Sequence, residues 1–398
     1  MSIDTRILRS SGKGLEKGRL LEHRKGHSRD AIAVLFGGIH GNEPAGVRAI
    51  QIVLAEIEVR KIPLLGEIVA VVGNRGALAR EERYIERDLN RRWFPELIER
   101  LRKKDRSLLE AEDREQMEIM DLVEKLEADT GIPLVFLDLH STSGFGAPFS
   151  LISDVLRNRS KAFSLPIPVL FGLEEIIEGS MLGYLCDRGH VGIGVEGGQH
   201  DDPNTIANHV AAVWLVLIVS GVVSPEFVPE FEEHETRLAK ATRTVPRAVE
   251  IRHRHVCYDG DGFRMEPGYK NFQRVQGGTV VAHDDAGPIE FPWNGIMIMP
   301  RYQGQGEDGF FSGRELRASW LRLGRILRKL RIDRMISWLP GVSPHPTRRD
   351  HFIVNQKVAR FKPVEILHLL GYRHERMSEY GLVFSRRGPD FHGTPGGH

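Results

Sequence analysis

Four short apolar runs in this sequence each lead into a polar residue. AIAVLF (31–36) passes through Gly37-Gly38 to His40, and GEIVAVV (66–72) reaches Asn74. PLVFLDL (133–139) ends at His140, and VGIGV (191–195) ends at Glu196. Runs of this length, rich in branched residues and bounded by glycine, read as buried strands. Helical patterns over 44–58, 96–129 and 203–220 separate them. Buried strands alternating with helices predict an α/β sheet covered on both faces. Ligands of such sheets bind beyond the strand ends. His40, Asn74, His140 and Glu196 stand at equivalent places and therefore point to one shared site.

The local motifs carry chemistry of one kind. GGIHGNEPAG (37–46) holds His40 and Glu43 in a glycine-rich turn, an imidazole and a carboxylate that can meet one zinc ion. Alone, the motif is equally a strand-to-helix turn with Glu43 at the positive end of a helix. In DLHSTSG (138–144), Asp138 shares a strand face with His140 and suits a partner behind it. The set His40, Glu43 and His140 leaves one coordination position open to water, the arrangement of a catalytic zinc. Glu196, flanked by glycines in GVEGGQHDDP (194–203), is a carboxylate that can move a proton beside such a water. His200 and Asp201 are read as a solvated loop rather than extra ligands. In RYIERDLNR (83–91), Arg91 offers a planar fork for a carboxylate and Asn90 a further donor, whereas Asp88 is expected to pair with Arg87 or Arg92.

The ordered set GGIHGNE, GNRGAL, RYIERDLNR, DLHSTSG and GVEGGQ resembles the succinylglutamate desuccinylase/aspartoacylase family, a branch of the zinc carboxypeptidase-like hydrolases, over roughly residues 30–312. The resemblance implies a mixed α/β sheet flanked by helices with a smaller β-domain over the cleft. It implies one Zn2+ held by His40, Glu43 and His140, Glu196 as general base and acid, and Asn90 and Arg91 on the substrate carboxylate. It further implies hydrolysis of a small N-acyl amino acid, like N-acetylaspartate or N-succinylglutamate. One departure is visible. Aspartoacylases carry an arginine two residues after the asparagine matching Asn74, where this chain has Gly76. Arg75, Arg80 or Arg83 is expected to polarise the carbonyl instead. Arg75 is the catalytic choice, and Arg83 is grouped with the substrate binders. The rival functions are a zinc carboxypeptidase acting on peptides and a non-catalytic zinc-binding scaffold.

Three regions are expected: a catalytic domain over 1–245, a β-rich capping domain over 246–312, and a basic helical extension over 313–398. The net charge of +1 over 398 residues conceals a body of −9 and an extension of +10, so net charge gives no argument for nucleic acid. In the extension, Leu316, Trp320, Leu323, Leu327 and Leu330 fall on one helical stripe beside many arginines. That stripe is read as packing on the acidic core; the other reading is contact with a membrane surface or a protein partner. Two cysteines, no apolar signal-like start and no run long enough to span a bilayer predict a cytoplasmic protein.

Overall fold

The computed structural model describes residues 18–258, 260–330, 336–338, 341–345, 351–355, 367, 370, 372–378 and 381–386. The strands are β1 (Leu20–Arg24), β2 (Ile32–Gly37), β3 (Glu67–Val72), β4 (Val135–Thr142), β5 (Phe149–Leu151), β6 (Val169–Phe171), β7 (Val191–Gln199), β8 (Ala248–Val256), β9 (Arg264–Met265), β10 (Arg274–Val275), β11 (Val280–Asp284), β12 (Gly287–Glu290), β13 (Gly295–Ile298), β14 (Asp308–Glu315), β15 (Val342–Pro344), β16 (His351–Val354), β17 (Tyr372–Ser378) and β18 (Gly381–Arg386). The helices are α1 (Ala45–Arg60), α2 (Arg75–Arg80), α3 (Pro95–Lys103), α4 (Ala111–Thr130), α5 (Leu156–Ala162), α6 (Leu173–Ile176), α7 (Met181–Asp187), α8 (Pro203–Val219), α9 (Phe231–Ala241) and α10 (Ala318–Lys329).

The four expected strands are β2, β3, β4 and β7, and they lie side by side and parallel in the order β3-β2-β4-β7. Every residue of β2, β3 and β4 is buried, which explains the continuous apolar runs. Alternation divides them between two helical layers. Ala33 and Leu35 pack with α1 and α8 on one face, and Ile32, Val34 and Phe36 pack with α4 and α7 on the other. The apolar stretch that begins at Val210 lies largely inside α8, buried around Trp214.

From β2 the chain passes to β3 on one side and later to β4 on the other. The carboxyl ends of β2 and β4 thus form a switch point, where loops diverge and leave a crevice. The helical pattern over 96–129 resolves into α3 and α4, separated by Lys104–Glu110. The short strands β1, β5 and β6 had no clear signal: β5 and β6 have three residues each, too few to display a period.

The strands of residues 246–312 are divided between two sheets. β8, β14, β13 and β10 extend the main sheet to eleven strands, and only β9, β11 and β12 form a separate three-stranded sheet. The basic extension is also not helical throughout. Past α10, β15, β16, β18 and β17 build an antiparallel sheet around Phe352, Val354, Tyr372 and Phe384. The expected stripe is split: Leu316 is buried in the main core and Leu327 packs against the sheet of the extension, whereas Trp320, Leu323 and Leu330 are exposed. α10 docks through Leu321 and Arg328, whose guanidinium is buried against Asp154. The reason is an aliphatic arginine stem that can reach a buried carboxylate. No described helix is long and apolar enough to cross a membrane.

Candidate metal centre and active site

The turn after β2 sets His40 and Glu43 at the mouth of the sheet. Gly38 takes a left-handed φ of 72°, and a Cβ on Gly41 would overlap the backbone of Ala77 in α2. These glycines let the turn fold back against α2, which starts after Asn74. Asn74 caps that helix by accepting from the Ala77 amide, and its own amide donates to Glu112 at 3.0 Å. Asn74 is therefore a structural residue of the loop.

His40, Glu43 and His140 converge, each buried, with one ligand-type atom apiece all within 4.8 Å of one another. Glu43 bridges the two rings: Oε1 lies 2.8 Å from His40 Nδ1 and Oε2 lies 3.0 Å from His140 Nδ1. The far ring nitrogens are also held, His40 Nε2 by Asp88 at 3.2 Å and His140 Nε2 by Asp138 at 2.9 Å. Carboxylates behind both rings fix their orientation and turn both Nδ1 atoms to one point. Asp138 stands where its strand spacing predicts. Asp88 does not. It accepts from Arg83 and contacts His40, while Arg87 pairs with Glu110 and Arg92 with Asp113. The three-dimensional return of the 83–91 loop over His40 makes this contact, and it has no signature in local spacing.

The charges explain the electrostatics. Burial works against ionised Glu43, but His40 and His140 outweigh it and hold its carboxyl well below the usual range. Burial likewise opposes a charged His140, yet Asp138 and Glu43 raise it well above an ordinary histidine. Beside them, Glu196 is the cross-strand register partner of His140. Its Oε2 is buried with no hydrogen-bond partner. Burial, reinforced by Glu43 and Asp138, pushes its carboxyl up to about 8. Glu43, Asp88, Asp138 and Glu196 thus crowd a space faced by the cationic groups His140, Arg83 and Arg91. The donor set, two imidazole nitrogens and a carboxylate in a carboxylate-rich surround, fits a divalent metal ion.

A cavity of about 150 Å³ opens from this cluster. Asn90, Arg91 and Arg83 line it together with Glu196, His40, Glu43 and His140. Arg83 is largely buried, chelates Asp88 and reaches Glu43 Oε1 at 3.5 Å. Arg91 pairs with Asp308 at 2.6 Å, and Asn90 Oδ1 accepts from the Met181 amide at the start of α7. Arg75 and Arg80 are not brought to the site. Both are exposed, and Arg75 faces Glu118 at 3.6 Å. They lie on α2, whose outer face leads away from the crevice.

Several contributors escaped sequence reasoning. His209 on α8 lies with Nε2 2.8 Å from the His140 carbonyl, and burial lowers its pKa to about 4, so it is a neutral prop beneath the site. His200 is not a freely solvated loop residue. It bridges Ser141 and Gln303, and Gln303 also accepts from Asn42. Gln305 ties to Arg83 and Tyr84, so the segment carrying Gln303 and Gln305 straps the mouth. Of these, only His200 lies in a stretch singled out in the sequence, GVEGGQHDDP.

Residues 31–173 match the family model described as the succinylglutamate desuccinylase/aspartoacylase catalytic domain. Over this stretch the chain is similar to that catalytic domain. The family comprises deacylating hydrolases. The matched residues include His40, Glu43, Asn90, Arg91 and His140 but stop short of Glu196. Among similar solved structures is a succinylglutamate desuccinylase from Vibrio parahaemolyticus, at 15% identity and a TM-score of 0.54, covering 77% of this chain and 95% of that one. A product-bound ectoine utilization protein, EutE (DoeB), from Ruegeria pomeroyi is 18% identical, with a TM-score of 0.52 and coverage of 73% and 87%. A succinylglutamate desuccinylase/aspartoacylase from Rhodobacter sphaeroides is 18% identical, with a TM-score of 0.51 and coverage of 74% and 88%. At these identities the likeness establishes the shared fold.

Proposed function

We propose that this chain is a zinc-dependent deacylase of small N-acyl amino acids, of the kind its matched domain is named for. The observation that carries the reading is Glu196, a buried carboxylate with an unpartnered oxygen and a raised pKa, in register with His140 and facing the His40–Glu43–His140 cluster. His40, Glu43 and His140 would hold one Zn2+, which supplies Lewis acidity to the scissile carbonyl and to the attacking water.

The chain's own residues account for the remaining steps. Glu196 takes a proton from the water and returns it to the departing amine nitrogen. Its burial raises its proton affinity, which suits return of the proton to the amine, and a cation held by the neighbouring ligands would favour the carboxylate form that takes it. Arg83, near Glu43, donates to the negative charge that grows on the carbonyl oxygen. Asn90 and Arg91 hold the substrate carboxylate, and this fixes the amide against Glu196. Arg91 exchanges Asp308 for the substrate when it does so. Gln303 and Gln305 close the mouth and keep bulk water out.

A strapped cavity of about 150 Å³ favours a small substrate over a peptide. A base with an unsatisfied oxygen has no use in a binding scaffold. Both cysteines, Cys186 and Cys257, are free and buried, which suits the reducing cytoplasm.

The test is zinc analysis followed by turnover of a panel of N-acyl amino acids by wild type and Glu196→Gln. The expected result is one zinc per chain in both, with turnover in the wild type alone. Equal turnover by a metal-free preparation would sink the scheme.

A further inference from the structure

One wall of the cavity is apolar. Leu151, Ile152, Leu173, Ile177, Leu182 and Phe311 line it, beyond the cluster of charged groups. Its position relative to the reacting groups is set by the sheet. Gly194 is two residues before Glu196 on β7, so both face the same way. A Cβ on Gly194 would press on Leu151 and Leu182 at 3.3 and 3.4 Å, which puts the apolar wall one pleat from Glu196. Its other edge adjoins Asn90, whose Oδ1 is anchored on the Met181 amide next to Leu182. A substrate held by its carboxylate at Asn90 and Arg91, with its amide at Glu196, brings its side chain against this wall.

The charges around the wall select against an acidic side chain. Arg83 already carries Asp88, and Arg91 is taken by the substrate's own carboxylate. Arg301 donates to the Gly306 carbonyl and lies 4.8 Å over the Phe263 ring, on the strap rather than on the wall. Among the described wall residues in 151–153 and 173–183 that line the cavity there is no lysine or arginine. A second carboxylate buried here would lose its water and gain no cation. An aliphatic or aromatic group would instead bury its surface against matching surface.

We propose that the amino-acid side chain accepted here is apolar and uncharged, of the leucine, methionine or phenylalanine type, rather than acidic. This rests on the deacylase reading, and the experiment separates the two. The zinc-loaded full chain is assayed on N-acetyl-leucine, N-acetylmethionine, N-acetylaspartate, N-acetylglutamate and N-acetyllysine, with the acyl group constant. The expected kcat/KM is at least tenfold higher for the apolar pair. Equal or higher values for the acidic substrates or for lysine would overturn the proposal while leaving the deacylase reading intact. If the zinc-loaded enzyme turns over none of them, the deacylase reading fails. Calorimetric binding then decides the side-chain proposal: tighter N-acetyl-leucine than N-acetylaspartate supports it, and the reverse or equality overturns it.

Leu182→Arg should raise the acidic-to-apolar ratio of kcat/KM at least tenfold with zinc content kept; an unchanged ratio counts against the wall's role. Should that variant not fold, Leu182→Asn, close in size, should lower kcat/KM for N-acetyl-leucine more than for N-acetylaspartate. An equal loss on both would also overturn the proposal.

Discussion

Two of the sites where this protein buries charge differ in how completely that charge is answered. Asp154 sits with Arg159 and Arg328, all three buried, and both guanidiniums reach its carboxylate. At the metal centre, four carboxylates surround two histidines, a cavity adjoins them, and Glu196 Oε2 and Asp138 Oδ1 have no partner. A buried ion cluster that is closed fastens two parts of a fold. One that leaves room and unsatisfied oxygens is set for a ligand, because an orphaned buried oxygen is too costly to persist without a use. Arg328 thus joins the basic extension to the body, whereas His40, Glu43 and His140 form a donor set that fits a divalent metal ion.

Four experiments can break or sharpen this contrast. The largest effect belongs to His40→Ala, which should abolish zinc binding and lower activity by about a thousandfold or more; retained zinc by elemental analysis would refute the ligand assignment. Glu196→Gln comes next. It should keep the metal and lose about 10²–10⁴ in kcat. The same variant has a pH signature in metal-free protein. The folded Glu196 carboxyl, at about 8, lies above its ordinary 4.5, so wild-type stability falls as pH rises through that window. The glutamine variant lacks this loss. Its melting temperature should exceed wild type by a margin that grows from pH 5 to pH 8; a constant margin would show that Glu196 is not buried as described.

Arg328→Met tests the closed cluster. Losing one partner of a buried pair costs about 3–5 kcal/mol, to be read from urea unfolding, while zinc stoichiometry stays the same. A loss of zinc would mean that the two clusters are coupled. The smallest effect is expected for Asp88→Asn, which should weaken zinc affinity about 10–100-fold and leave turnover at saturating zinc largely intact. Unchanged affinity would remove Asp88 from its role behind His40.

Much of the site was legible because its residues follow strand ends. Periodicity and glycine boundaries locate β2, β4 and β7, and parallel pairing then brings His40, His140 and Glu196 together. Asp138 was legible for the same reason, since its spacing from His140 on one strand is local. The arginines were not. Arg75, Arg80 and Arg83 are near one another in sequence, yet only Arg83 faces the cavity, because the helix carrying the first two turns them outward. Asp88, His209 and Gln303 act across separations of 48, 69 and 261 residues, to His40, to the His140 carbonyl and from Asn42.

The sequence by itself determined the α/β class, the central strands and the residues that gather at their ends, because strand burial and glycine turns are written in neighbouring residues. Tertiary structure alone decided the carboxylates behind each histidine, the arginine facing the cavity, the apolar wall, and the fate of the α10 stripe. These depend on which distant segments pack together and on which buried charges find partners. Neither is encoded in local spacing, since each contact is settled by the whole chain's competition for burial.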